Sequence, residues 1–138
     1  MSLVATAWST PDSLKQNVKI DGRHHLVTDE PEAVGGEGSA PSPHELLPAA
    51  LASCISTQLV MYARTKGWEL AGVSVSVVYD HRSTPRTFEI AIEFGGPVTA
   101  EQLDRLRKVA ATCPVRRALE GGAEFVEHLV IRKAERAA

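Results

Sequence analysis

Cysteine is scarce in this chain: Cys54 and Cys113 are the only two among 138 residues, and they stand 59 positions apart. That scarcity excludes a small disulfide-stapled scaffold. A chain of this length with 43% hydrophobic residues buries a core without staples or a structural metal. We expect one domain over residues 1–138. In a reducing cytosol a disulfide between two such cysteines is transient and catalytic rather than a permanent brace. The count alone leaves open whether they meet.

Charge of one sign is also lacking. The formal net charge is −2 and no long single-sign block occurs, so nothing pulls the protein toward nucleic acid or an anionic membrane surface. The opening "MSLVATAWSTPDSLKQ" has no basic start followed by a long apolar run, and no uninterrupted apolar stretch reaches the roughly 18 residues of a membrane span. The expected location is cytoplasmic. Metal-ligand spacing is missing too: His24 and His25 are adjacent on a predicted strand and point to opposite faces, while His44, His81 and His128 fall on separate elements. The glycines of "GGEGSAPSP" follow no buried strand and include no lysine, so they are not a phosphate loop, and there is no nucleophile elbow. No metal or cofactor is expected.

What is present is a clear order of elements. "LVATAW", "LKQNVKI" and "HHLVTDE" read as short strands, the last two joined by Asp21-Gly22, a hairpin-turn pair. Residues 30–43, rich in Gly and Pro, form a loop. Ser42 with Glu45 three residues on fits a capping box, and Pro43 suits the first helical position. The helix that follows runs to about Gly67 and is apolar around most of its circumference, so it should be buried, with a kink at Pro48. Val73, Val75, Val77 and Tyr79 then alternate with other residues, as do Phe88, Ile90, Ile92 and Phe94, giving an antiparallel pair turned by "RSTPR". Thr99 with Gln102 opens a second helix that ends at Pro114, and that proline starts a short third one with Cys113 at its N-cap. "EFVEHLVIRK" supplies a closing strand. The order β-β-β-α-β-β-α-α-β reads as α+β with mainly antiparallel pairing.

Two readings fit each cysteine. Cys54 sits mid-helix among apolar neighbours with no cation nearby in sequence, which raises a thiol's pKa and suits a small buried hydrophobe as well as a placed nucleophile. Cys113, at a helix N-terminus with Arg116 and Arg117 in the next turn, offers a thiolate both unpaired N–H groups and positive charge; otherwise "TCPVRR" is a corner between helices.

Taken together, "APSPHELLPAALASC", the following "GW" with its valine-rich strand, and "TCPVRRALE" resemble the OsmC/Ohr family of thiol-dependent hydroperoxide reductases. The most specific piece is the Pro-x-Glu-Leu-Leu-x-Ala-Ala-x-x-x-Cys helix paired with a distant Cys-Pro. The resemblance implies an intertwined homodimer with a long buried central helix and an active site at the subunit boundary. It implies that Cys54 is the peroxidatic cysteine, becoming a sulfenic acid on reducing an organic hydroperoxide, and that Cys113 resolves it. An external dithiol reductant then restores both thiols. The family's organic-hydroperoxide branch has a catalytic Glu ten residues before the reactive Cys, where this chain has His44; Glu45, one residue later, is either the working carboxylate or a helix cap. The branch's arginine has no clear match, and Arg23 is the substitute. A pocket around Leu47, Leu51 and Met61 would favour alkyl or lipid hydroperoxides. Two other functions fit the same residues: a non-enzymatic dimeric module binding an apolar ligand, and a thiol-based redox sensor.

Overall fold

The computed structural model describes residues 2–131. Strands β1 (Ala5–Ser9), β2 (Gln16–Ile20) and β3 (His24–Thr28) pair antiparallel in the order β1-β2-β3. The β2–β3 connection turns through Asp21 at φ 49° and Gly22 at φ 69°, left-handed values that an Asp-Gly pair adopts at little cost. No buried hydrophobic side chain comes from this sheet, and all five β1 residues are exposed.

The loop after β3 contains one short 3-10 turn, Glu32–Val34, and folds around the buried carboxylate of Asp29. That carboxylate accepts from the N–H groups of Glu30 (2.8 Å), Glu37 (3.2 Å) and Ser39 (3.1 Å) and from the Ser39 hydroxyl (2.8 Å). These donations hold its pKa down at about 2, the Ser39 N–H being the largest cause. Position 36 must be glycine, because a Cβ there would run into the Glu30 carbonyl. The loop therefore delivers Ser42 in a fixed orientation to the helix that follows.

That helix, α1 (Pro43–Lys66), starts on the expected capping box: Ser42 N–H donates to Glu45 Oε1 at 3.0 Å and Glu45 N–H donates to Ser42 Oγ at 3.4 Å. Gly67, at φ 70°, ends it in the left-handed conformation that suits glycine. Pro48 lies inside the helix without ending it. Leu51, Ile55, Leu59 and Ala63, each four residues on from the last, form its buried stripe. In one chain burial goes no further round the helix: Leu47 and Met61 are exposed, because what packs on α1 covers one side only.

The covering elements are the hairpin of β4 (Val73–Asp80) and β5 (Thr87–Phe94), in register from Val73↔Phe94 to Asp80↔Thr87, and helices α2 (Ala100–Ala110) and α3 (Pro114–Gly121). The alternation in both hairpin strands puts Val73, Val75, Val77, Phe88, Ile90, Ile92 and Phe94 against the core. Leu106, Ala110 and Cys113 complete it; full burial of one such Leu or Ile side chain contributes about 1.5–3 kcal/mol. The fold is mixed α+β with antiparallel sheets and one long helix.

The expected closing strand is not formed. Residues 123–131 have no regular structure, and Phe125, Val126, Leu129, Val130 and Ile131 are at least four-fifths exposed; positions 132 and 133 of that stretch lie outside the described residues. An apolar segment becomes a strand only where a neighbour pairs its N–H and C=O groups, and among the described residues none pairs with it. By length and composition α1 is apolar enough to cross a membrane, with mean hydropathy 1.5 over its best window. In this fold its buried stripe packs on β4 and α2.

Candidate active site

Two helix geometries bring the cysteines together. Cys54 lies one position before Ile55 at the edge of the buried stripe of α1, half-buried. Cys113 is fully buried where α2 gives way to α3, at the N-cap of α3 in front of Pro114. Packing α2 and α3 on the same side of α1 leaves the two free cysteines 2.8 Å apart.

Burial pushes the Cys54 thiol above its ordinary pKa, and its hydrogen bond with Cys113 pushes the same way. The Val115 N–H opposes them by pointing at the sulfur. Pro114 has no N–H, so Val115 carries the first donor inside α3, and such first-turn donors have no partner within the helix. The helix N-terminus that sequence assigned to Cys113 thus also faces Cys54.

The other sequence candidates stand elsewhere. Glu45 is exposed and engaged in the α1 cap; Ser42, chiefly through its N–H, holds the Glu45 carboxyl below the ordinary carboxylate range. It lies nine positions before Cys54, roughly 14 Å along the helix and about half a turn out of phase, so it does not reach that thiol within one chain. Arg23 is exposed in the β2–β3 turn, its N–H donating to the Ile20 carbonyl at 3.2 Å. Neither is among the groups acting on Cys54, which are Cys113 and Val115.

The pocket expected around Leu47, Leu51 and Met61 is not gathered, because Leu47 and Met61 lie on exposed faces of α1. Leu51 instead joins Phe88, Ile90 and Leu119 around an open cavity of about 530 Å³, rimmed by Arg86, Arg116 and Glu120. Arg116 Nε donates to Glu120 Oε1 at 2.9 Å across this rim.

Sequence reasoning missed two arrangements. His44 and His81, placed on separate elements, stack at 5.1 Å with their planes 17° apart; no local signal gave this, since it depends on where β4 ends against the start of α1. The Asp29 hub is the second, and a carboxylate before a loop with many free N–H groups is the local hint to it. Among the described residues no three His, Cys, Asp or Glu side chains converge as metal ligands.

The family model for OsmC-like protein matches residues 36–127, which include both cysteines. A Psychrobacter arcticus 273-4 protein, named for osmotic stress induction and detoxification response, is 28% identical, with 83% of this chain and 85% of that chain covered at TM-score 0.71. An organic hydroperoxide resistance protein OsmC of Legionella pneumophila is 23% identical, covering 88% and 90% at TM-score 0.63. An OsmC-like protein of Mycoplasma pneumoniae is 18% identical, covering 88% and 89% at TM-score 0.70. The last two show likeness of fold alone. Among curated protein sequences, none is significantly similar to this one.

Proposed function

The chain belongs to the family of OsmC-like proteins, and from that premise we propose that it is a two-cysteine, dithiol-dependent peroxidase acting on organic hydroperoxides. The observation that carries this reading is the thiol pair: two free cysteines, distant in sequence, stand 2.8 Å apart, one half-exposed and one buried. A buried core has no need of such a pair, whereas a sulfenic acid needs a thiol within immediate reach.

The Cys54 thiolate attacks the distal oxygen of ROOH, the O–O bond breaks, and the alkoxide leaves as the alcohol after taking a proton. Cys54 is now a sulfenic acid. The Cys113 thiolate attacks its sulfur, water leaves, and a disulfide joins the two. An external dithiol reduces it, and the sequence of steps calls for no metal or flavin. The proposed compartment is the cytoplasm, where such reductants are maintained.

Among the described residues no cation acts on Cys54, and the proposal supplies one from a second copy. A homodimer covers the bare face of α1, the β1–β2–β3 sheet and the exposed apolar side chains of Phe125, Val126, Leu129, Val130 and Ile131, and in it Arg23 and Glu45 of one copy serve Cys54 of the other. The catalytic set is then Cys54, Cys113, Glu45 and Arg23 in a single domain.

The test is mass spectrometry after one equivalent of cumene hydroperoxide. Cys54→Ser should consume no peroxide, because a serine hydroxyl is no comparable nucleophile at neutral pH. Cys113→Ser should consume one equivalent and accumulate a sulfenic acid on Cys54, which excess peroxide carries to sulfinic acid. Oxygen added at Cys113 of the Cys54→Ser protein, with Cys54 untouched in the Cys113→Ser protein, reverses the roles; intact thiols in the unmodified protein would falsify the peroxidase reading.

A further inference from the structure

The two sulfurs differ in access, and that difference fixes the chemistry of the return half of the cycle. Cys113 has no exposed surface and belongs to the same buried cluster as Ile55, Leu106 and Ala110. Cys54 is half-buried at the edge of that cluster. A thiolate that attacks a disulfide must approach one sulfur from the side opposite the bond it breaks. Cys113, with no exposed surface, is closed to an incoming thiolate. Cys54 keeps part of its surface exposed, and in the peroxidase reading the path by which a peroxide reaches that sulfur also admits a thiol.

We propose that the external dithiol attacks Cys54 Sγ and that Cys113 is the leaving group; this rests on the peroxidase reading for its place in the cycle. The reductant's first thiolate forms a bond to Cys54 Sγ while the Cys54–Cys113 bond breaks, and its electron pair departs on Cys113. The sulfur left there sits at the N-cap of α3, where the positive end of the helix dipole favours the new charge until it takes a proton. The reductant's second thiolate then attacks its own sulfur in the mixed disulfide. Cys54 is released, and the reductant leaves as its own disulfide. Two electrons pass from the dithiol to the protein, and the mixed disulfide is carried on Cys54 throughout.

Regiochemistry of this kind is read directly. The protein is oxidised with diamide, which forms the disulfide without peroxide, and loss of both free thiols is verified. Limiting glutathione is added, the reaction is stopped with acid within seconds, and the unfolded chain is alkylated and digested. Glutathione is expected on Cys54 and the alkyl group on Cys113, by about tenfold or more over the reverse pattern, since access decides which sulfur is attacked. Glutathione on Cys113, or an even distribution, overturns the proposal, and so does failure of diamide to join the two cysteines. As a second measurement, folded Cys113→Ser should react with 5,5′-dithiobis(2-nitrobenzoate) at least about tenfold faster than folded Cys54→Ser, and the difference should vanish in denaturant; equal rates in the folded proteins also overturn it. If diamide forms the disulfide and glutathione lands on Cys54 while peroxide leaves both thiols intact, the peroxidase reading fails and the direction of reduction stands.

Discussion

At the scale of single residues, local sequence makes Cys54 the less reactive thiol, and the structure keeps part of that judgement while changing its consequence. Burial does raise the Cys54 pKa, yet Cys113 and the Val115 N–H both meet its sulfur. Removing Cys113 deletes one of the two influences that raise it. In Cys113→Ala the midpoint for alkylation of Cys54 should therefore fall relative to the unmodified protein, while burial, the larger cause, keeps it above the ordinary thiol value. Peptide mapping of iodoacetamide uptake against pH measures this, and an unchanged midpoint denies any coupling between the thiols. Asp29 makes a second residue-scale prediction. Its folded pKa of about 2 lies below the ordinary 3.8, so its contribution to stability is present above about 3.8 and is lost as pH falls toward 2. Asp29→Asn should lower the urea midpoint at pH 7, because one amide oxygen cannot serve four donors, and the gap to the unmodified protein should close between pH 4 and pH 2. A gap of constant size over that range would assign the loss to packing rather than charge.

At the scale of elements, α1 is specified at both ends and along one stripe. Ser42→Ala should cost about 0.5–2 kcal/mol by removing the hydroxyl acceptor at the N-cap. Leu59→Ala, at a fully buried position, should cost about 2–5 kcal/mol through lost transfer energy and the cavity left behind. Urea unfolding measures both, and a loss for Leu59→Ala no larger than that of an exposed α1 position such as Thr57→Ala would contradict the assignment of the core. Glu45 has two roles to separate. Glu45→Gln keeps an oxygen for the Ser42 N–H, so stability should change little, and a peroxidase rate that falls far more than stability would mark the carboxylate as part of the site. A variant that melts earlier but turns over normally leaves Glu45 as a cap.

At the scale of the whole molecule, the proposed homodimer rests on the apolar surface that one chain leaves exposed, from Leu47 and Met61 of α1 to Phe125 and Ile131. Light scattering at micromolar concentration should give twice the 14.9 kDa chain mass; a stable monomer there counts heavily against the dimer. The crossing of subunits has its own signature. Glu45→Gln and Cys54→Ser, each weak alone, should recover about a quarter of the unmodified activity when unfolded and refolded together, since half of the random dimers carry one intact site. No recovery, with exchange verified by mass, would mean that Glu45 does not act across the boundary.

The sequence by itself determined what depends on near neighbours: both capping boxes, the Asp21-Gly22 turn, the alternation of β4 and β5, and Cys113 at the start of α3. Each is decided by residues within a few positions of one another, where backbone hydrogen bonds and side-chain period act directly. The pairing of His44 with His81 and the facing of Cys54 toward Cys113 and Val115 belong to the tertiary structure. Contacts between residues far apart in the chain depend on how α1, the hairpin and α2 pack, and no local pattern carries that information. The closing strand makes the same point from the other side. Its apolar, strand-forming residues are plain in "EFVEHLV", but a strand needs a neighbour for its backbone, and composition cannot provide one.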